Sequence, residues 1–451
     1  MLARFRHIQR QGLSFYSTKS HVDICVVGAG IIGTAAVAAI AQSPYAEHIK
    51  IALIEGNQLS QDASINEGVY SNRVSSITPK SSKFLEDIRV WNQIRNERKT
   101  PYYNMNVWDA ASDGRISFSG DNSDPIGHIV ENRLIQSSLV EQILQLKGVE
   151  VYERQNVQKI SIVDERPVLL LNSNAEISCD LLIGADGPMS KVREFAGIPS
   201  TGRNYTQTGL VATVSLNSTQ NATAWQRFLP SGPIALLPLS EANSSIVWSL
   251  SGDLASRVQK TSPEVFVELV NAAFHNPLLD VQYLLSHLEA DGSINVDVKD
   301  EAEWGRESTD GQSMQPPFVV GVTDKSRATF PLRLRHAESY ISERVVLIGD
   351  AAHTVHPLAG QGLNLGLADA KSLSDCLNNG FRDGQDVGNP HLLEKYASER
   401  YMENAGVLFA CDSLSRLFSN ETEVLSLIRG FGFNILDQSQ LVKSMIMKVT
   451  T

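Results

Sequence analysis

The 451-residue chain is poor in cysteine: Cys25, Cys179, Cys376 and Cys411 are widely separated and no C-x-x-C pair occurs. That spacing excludes a sequence-encoded zinc knuckle or redox dithiol, and no metal site is expected; the four thiols fit buried side chains in a reducing compartment. Long hydrophobic runs are missing as well. None approaches the roughly 18 residues that span a bilayer, so any membrane contact is expected to be peripheral. Internal repeats and low-complexity blocks are absent. Fifty acids against 39 bases give a net charge of −11, which argues against nucleic acid as a partner. A hydrophobic content of 42% is enough for a large core, and the length suggests about two to three domains.

Acidic residues are lacking from the first 22 positions, where Arg4, Arg6, Arg10 and Lys19 alternate with Ser, Thr and single apolar residues. This is the composition of a mitochondrial transit peptide, and the continuous apolar core of a secretory signal is not there. Residues 1–20 are assigned to it. Its removal would take four positive charges from the chain's −11 and leave −15.

Three stretches carry the chemistry. Asp23 to Val27 is an apolar strand followed by Gly28-Ala29-Gly30-Ile31-Ile32-Gly33 and an alanine-rich helix, and a second strand, Ile51 to Ile54, ends in Glu55. This is the dinucleotide fingerprint: Gly28 makes the turn, Gly30 admits a pyrophosphate to the helix N-terminus, Gly33 lets helix and strand touch, and Glu55 binds ribose hydroxyls. Asp180 to Gly184 is another strand, continuing into Ala185-Asp186-Gly187-Pro188-Met189-Ser190-Lys191-Val192-Arg193. There Gly187 permits a turn, Ser190 is an N-cap, and Asp186 is the ligand-side carboxylate. The third stretch is a strand, Val345 to Ile348, then Gly349-Asp350-Ala351-Ala352-His353-Thr354-Val355-His356-Pro357-Leu358-Ala359-Gly360-Gln361-Gly362-Leu363-Asn364 and a small-residue helix to Asp369. Small residues on both sides of Asp350 leave bare backbone for a flat or extended ligand at the carboxyl end of a parallel strand. The implied ligand is polyhydroxylated, partly anionic and partly flat.

The third stretch resembles the third FAD motif of the flavoprotein aromatic hydroxylases, and His356 to Asp369 matches, position for position, the signature of the ubiquinone-biosynthesis hydroxylase family. The second stretch matches the D-x-x-x-G-A-D-G motif of that class, and Arg73-Val74-Ser75-Ser76-Ile77 resembles its Arg-x-x-Ser-Ile segment. The resemblance implies FAD as cofactor, held by Gly28, Ala29, Gly30, Gly33, Glu55, Arg73, Arg133, Asp186, Gly349, Asp350, Pro357, Gly360, Gly362, Leu363 and Asn364. Arg73, Pro357, Gly360 and Gln361 are the residues it places at the chemistry. It further implies hydroxylation of a polyprenyl-hydroxybenzoate or polyprenyl phenol at ring position 5, through a flavin C4a-hydroperoxide and O₂. Ferredoxin and its reductase are the implied electron source, other coenzyme Q biosynthesis proteins the implied partners, and the matrix face of the inner mitochondrial membrane the implied location. A different FAD oxidoreductase acting on another lipid, and a non-catalytic FAD-binding subunit of the biosynthetic complex, stand as alternatives.

The expected fold is α/β: a Rossmann-like FAD-binding domain of the aromatic-hydroxylase type with an inserted antiparallel sheet and C-terminal helices. Residues 21–202 and 327–392 are assigned to the FAD-binding domain, 203–326 to the substrate sheet, and 393–451 to the helices. Phe228, Leu237 and Trp248 on the alternating strands are the expected substrate-pocket residues. The acidic, weakly periodic stretch of about 291–326 reads as an inserted surface loop, and Leu441 to Val449 as a possible membrane-surface segment.

Overall fold

The computed structural model describes residues 19–59, 70–112, 114–120, 124–218, 221–307, 315–356 and 360–418. Pro357, Leu441 to Val449 and residues 1–18 lie outside them. Strand β1 (Lys19–Val27), helix α1 (Ile31–Ala41) and strand β2 (Ile51–Glu55) form the first crossover. Where β1 and β2 pair in parallel, Ile24 to Val27 against Ile51 to Ile54, every residue is apolar and buried, as strands covered on both faces require. Next come β3 (Val74–Ile77), α2 (Pro79–Asp87), β4 (Lys99–Tyr102), β5 (Asn104–Asp109), β6 (Arg115–Ser119), β7 (Gly127–Glu131) and α3 (Asn132–Leu144). They lead to β8 (Val149–Glu153), β9 (Val157–Val163), β10 (Arg166–Leu171), β11 (Glu176–Gly184) and the short α4 (Lys191–Phe195).

The second half opens with the 17-residue β12 (Ser200–Leu216), then β13 (Thr223–Phe228), β14 (Ile234–Pro238) and β15 (Asn243–Ser251). Helices α5 (Gly252–Lys260), α6 (Pro263–His275), α7 (Leu278–Ser286) and α8 (Val298–Glu307) follow, with β16 (Val319–Val322) and β17 (Ala328–Ala337) after them. The chain then returns through β18 (Ile341–Ser342), β19 (Val345–Leu347) and β20 (His353–Thr354) to α9 (Gly362–Arg382) and α10 (Pro390–Phe418).

These strands make three sheets. The first runs β18-β19-β11-β1-β2-β8, with the β9–β10 hairpin on β11. The second runs β20-β17-β12-β15-β14-β13-β5-β6, with β16 on β12, and β3-β7-β4 form the third. The α/β class with an inserted sheet is therefore as the sequence implies, but several boundaries move. Strands β5, β6, β17 and β20 belong to the inserted sheet although they lie in segments assigned to the FAD-binding domain. β5 pairs in parallel with β13, and β17 lies antiparallel to β12 over most of its length. Sequence order conceals such long-range pairing.

Lys19 and Ser20 are likewise in β1, opposite Glu176 and Ile177 of β11, and Lys19 pairs with Glu176 at 3.1 Å. A leader boundary after residue 20 would cut a paired strand. The 291–326 stretch also departs from a plain surface loop. It carries α8, which buries Val298 and Ala302 against α6, and β16, which buries Val319. Val298 and Ala302, at i and i+4, are the only buried apolar side chains of α8 among those described, too few to stand out in an acidic segment.

One face of the inserted sheet carries Leu210, Ala212 and Val214 of β12, Ile234 and Leu236 of β14, and Ile246, Trp248 and Leu250 of β15. These residues pack on α5, α6 and α7. Since successive side chains alternate between faces, Val211, Ala235, Leu237 and Val247 stand on the other face, toward the three-stranded sheet and the FAD-binding domain.

A buried polar network joins α9 and α10 to the end of β19. Asp369 accepts the Gly349 N–H at 3.0 Å, a His353 Nε2 contact at 2.5 Å, Arg400 Nε at 2.9 Å and Asn404 Nδ2 at 3.0 Å. Arg400 also donates to Asn404 at 2.7 Å, and Tyr396 donates its hydroxyl to the Leu347 carbonyl at 2.7 Å. Burial alone would raise the Asp369 carboxyl, but His353 and Arg400 together hold it below the ordinary carboxylate value. A second clasp joins β12 to α10: Arg203 pairs with Asp412, and the Tyr205 hydroxyl donates to Asp412 at 2.9 Å. The Tyr205 ring meets His356 edge-on at 4.7 Å. Burial pushes the His356 imidazole down to about 4, with Asp412 opposing and Arg203 assisting.

Two outcomes follow. Arg400→Met leaves Asp369 buried without its guanidinium, and chemical denaturation should register a loss of about 3–5 kcal/mol. For His356 the unfolded chain takes up a proton near pH 6.5 while the folded chain resists until about 4. Its stabilising contribution is complete above pH 6.5 and falls away by about 3 kcal/mol as the pH drops to 4. Unfolding free energies measured across that window should be flatter in His356→Asn than in the parent protein.

Candidate active site

The dinucleotide turn is built from missing side chains. Gly28 has φ +102°, and a Cβ on it would stand 2.3 Å from the Ala185 carbonyl oxygen; one on Gly33 would stand 1.9 Å from the Gly28 oxygen. A Cβ on Gly30 would meet nothing within 4 Å, and the first turn of α1 has no side-chain cap. Open space thus lies over uncapped N–H groups, the cradle that a pyrophosphate fills. Ala29 is fixed on both sides, its N–H donating to Glu55 Oε2 at 2.9 Å and its carbonyl accepting from Gln136 Nε2 at 2.7 Å. Glu55 Oε1 accepts the Asn57 N–H at 2.9 Å, and the carboxylate keeps room for further donors.

A cleft of about 450 Å³ runs from this turn past Glu55 and Asn57 to Asp186, Met189 and Lys191. Asp186 Oδ2 accepts the N–H groups of Lys191 and Val192 at 2.8 and 3.3 Å. Its Oδ1 is buried with no hydrogen-bond partner among the described residues, as expected of an acceptor that awaits a ligand donor. Arg193 is more than a helix fastener. It donates to Pro188 O at 2.8 Å and to Ala351 O at 2.7 Å, tying the Asp186 loop to the Asp350 turn. Asp350 itself is exposed at the surface, while the protein crowding it raises its carboxyl above the ordinary value and His353 opposes the shift.

Gly349 has φ +58°, and it and Gly366 admit Ile32 of α1, which would lie 2.7 Å from a Cβ on Gly366. Gly360 has φ +60°. Gln361 and Gly362 lead into α9, whose first turn also lacks a side-chain cap. The N–H groups from Gly362 to Asn364 are therefore available to negative charge. The Leu363 side chain is half-buried. The Asn364 side chain is occupied by protein, donating to Ser76 O at 2.8 Å and accepting from the Thr78 N–H at 3.2 Å. As a cofactor residue it can act through its backbone; its amide positions β3 against α9.

Arg73 is exposed at the start of β3 and its guanidinium meets no partner among the described residues. Arg133 is half-exposed, with a long 3.4 Å contact to Glu131. The stronger partner of Glu131 was not visible in the sequence: Arg98 donates to it at 2.6 and 2.8 Å with both side chains buried, and Glu131 also accepts the Ser71 N–H at 2.5 Å. This pair holds the loop that carries Arg73. Arg98, Glu131 and Gln136 act across 33 to 107 residues of chain, and no local motif marks them.

Of the expected pocket residues, Leu237 faces the FAD-binding domain among Tyr102, Ile129 and Ala224, and Phe228 lies with Val107 and Ile116 on that same side. Trp248 does not line the pocket. It is fully buried on the opposite face, against the helices, where the alternation of β15 groups it with Ile246 and Leu250 and leaves Ser245, Val247 and Ser249 on the other face. A residue that sequence reading passed over is Gln226. It pairs in register with Ala235 and Val107, is 7% exposed, and meets no partner for its amide among the described residues. It puts one polar group into an otherwise apolar row.

The FAD binding domain family matches residues 21–290 and 309–408. The mitochondrial ubiquinone biosynthesis monooxygenase COQ6 of Danio rerio is 39% identical over 94% of this chain and 88% of its own length. The protein of the same description in Homo sapiens is 38% identical over 96% and 92%. Among solved structures, P. aeruginosa PqsL in complex with 2-aminobenzoylacetate superposes with a TM-score of 0.67 at 18% identity, covering 92% of this chain and all of that one. The p-nitrophenol 4-monooxygenase PnpA of Pseudomonas putida gives 0.67 at 15% identity, covering 95% and 97%. These two bear on fold alone. The residues at the cleft fit FAD: the glycine cradle, the unpartnered Asp186 oxygen and the two uncapped helix starts match a long anionic dinucleotide with a flat end. With the relatives aligned over nearly its whole length, the chain belongs to the family of FAD-dependent ubiquinone biosynthesis monooxygenases.

Proposed function

We propose that the protein hydroxylates the aromatic ring of a polyprenyl-hydroxybenzoate or polyprenyl phenol, at ring position 5, as a step of ubiquinone biosynthesis. The observation that carries this is an FAD cradle in one chain with a sheet face turned toward the FAD-binding domain, Val211, Val247, Ala235 and Val107 in one row, broken by the single amide of Gln226. An aromatic ring with an apolar tail and one or two polar substituents suits such a row.

FAD, when bound and reduced, supplies the oxygen-activating chemistry. The chain supplies position, dryness and charge. Gly28, Gly30 and Gly33 with Glu55 and Asp186 would hold the dinucleotide, and Asp350 the hydroxylated chain that follows. The N-terminal N–H groups of α9, with the Gly360 and Gln361 backbone before them, would stabilise negative charge at the flat end. Pro357 is assigned to the same loop on the resemblance. Arg73, whose guanidinium meets no partner among the described residues, would stabilise charge on the substrate phenolate, and Arg133 would meet the cofactor's anionic chain. His356 stays neutral above about pH 4 and serves the packing of that loop. No general base is assigned.

Electron delivery by ferredoxin and its reductase is part of the proposal. It rests on the family resemblance alone. The relatives are named as mitochondrial, and a polyprenyl substrate dissolved in a bilayer supports a peripheral place at the matrix face of the inner membrane. No helix among the described residues is long and apolar enough to cross one.

The test is to reduce the flavin-loaded protein under argon, admit O₂ with a short-tailed polyprenyl phenol, and weigh the product. A product one oxygen heavier is the expected result, and phenol recovered unchanged beside hydrogen peroxide would count against the reading. Arg73→Ala should keep its flavin, read from the visible spectrum, while product formation falls roughly 100-fold. Gln226→Leu should raise KM for the phenol about tenfold, the usual cost of one lost hydrogen bond to a substrate. Trp248→Phe should leave KM unchanged and register only in thermal stability.

A further inference from the structure

Helices α7 and α8 carry an apolar groove far in sequence from the FAD motifs. A cavity of about 310 Å³ is lined by Leu279, Asp280, Tyr283, Leu284, Glu301 and Trp304. Leu279 is 77% exposed and Trp304 67%, a costly display of large side chains on a soluble surface. The groove is rigidly built. Asn276 Nδ2 donates to the Ala302 carbonyl at 3.1 Å, and Gly305 lets α8 approach so closely that a Cβ there would stand 2.3 Å from Asn276 Nδ2 and 2.6 Å from Asp280 Oδ2. Below it, Val298 and Ala302 are anchored in the core. Trp304 and Glu301 also fall in residues 291–308, the stretch between the two segments that match the FAD binding domain family.

The surroundings specify what covers the groove. Between Leu279 and Trp304 the chain has seven acids and one lysine. Asp280 and Glu301 line the groove itself, neither has a salt-bridge partner among the described residues, and desolvation raises the Asp280 carboxyl. An anionic lipid surface would be repelled by this rim. A second copy of the chain, meeting it about a two-fold axis, would set Asp280 and Glu301 against themselves. Complementarity calls for cations beside apolar side chains.

We propose that the α7–α8 groove is a docking site for a basic amphipathic helix of a partner protein, its apolar face seated on Leu279, Tyr283 and Trp304 and its lysines or arginines over Asp280 and Glu301. Aromatic side chains next to carboxylates are suited to this, since Tyr283 and Trp304 can also accept a cation over their rings. The site is independent of the proposed hydroxylation and uses none of the residues that bind FAD.

The probe is a synthetic amphipathic peptide of about 20 residues with leucine on one face and lysine on the other, long enough to be helical, titrated calorimetrically into the full flavin-loaded chain. Its counterpart carries glutamate in place of lysine. The lysine peptide should bind and the glutamate peptide should not. Leu279→Ala with Trp304→Ala should weaken binding at least tenfold, and Asp280→Lys with Glu301→Lys should reverse the preference between the two peptides. Unchanged far-ultraviolet dichroism and flavin content in each variant identify the effect as local, and phenol hydroxylation by the purified variants should be unaltered. The proposal is overturned if the lysine peptide binds all variants alike, if the groove variants instead lose binding to vesicles of anionic phospholipid, or if they change the protein's sedimentation as a self-associating species would.

Discussion

The Asp369 carboxylate is the constraint on which the site depends. It receives the Gly349 N–H, and so fixes the backbone one residue before Asp350, while His353, Arg400 and Asn404 satisfy its remaining lone pairs. A buried carboxylate is tolerable only with such a complement of donors. The donors come from three elements, so the interaction also sets how α10 lies against α9 and how the strand after β17 turns. Arg193 reaches the same turn from the other side through Ala351 O, and the Asp186 and Asp350 loops are thereby held at one spacing. A dinucleotide cradle assembled from separate strand ends needs such a brace, because neither loop is long enough to define its own position.

The inserted sheet divides its labour by the pleat. One face is a conventional core, packed on three helices, and the other looks toward the cofactor domain with smaller and half-buried side chains. Since the period along a strand is two residues, a shift of one decides whether a side chain supports the fold or meets the substrate. Gln226 and Arg227 illustrate this. Gln226 faces the apolar row, whereas Arg227 turns to the helices, where it donates to the Ala273 and Asn276 carbonyls at 3.0 and 2.9 Å and burial lowers its guanidinium pKa to about 10. Adjacent polar residues in one strand have unrelated roles.

This explains what could be read from the sequence and what could not. Gly28, Gly30, Gly33, Glu55 and the Asp186 and Asp350 loops announce themselves because each motif is local: strand, tight turn and helix start within about a dozen residues. The braces are not local. Arg98 with Glu131, Gln136 with Ala29, and Arg193 with Ala351 join segments far apart in the chain, and nothing in their immediate neighbours marks them. Trp248 shares its face with Ile246 and Leu250, opposite Ser245, Val247 and Ser249; such alternation shows which side chains go together but not which face turns to the cofactor domain. Helix α8 escaped notice because only Val298 and Ala302 among its described side chains are buried, within an acidic segment. The membership of β5, β6 and β17 in the inserted sheet is a matter of long-range pairing, which hydrophobic pattern alone does not encode.

The central claim is that this cradle and this sheet face together transfer one atom of O₂ to a phenolic ring. Its most direct test is a single turnover of the reduced, flavin-loaded protein with a short-tailed polyprenyl phenol under ¹⁸O₂ in unlabelled water. The account predicts hydroxylated product carrying one heavy oxygen in the new hydroxyl group. A hydroxyl oxygen derived from water, or heavy label found only in hydrogen peroxide while the ring stays intact, would contradict it.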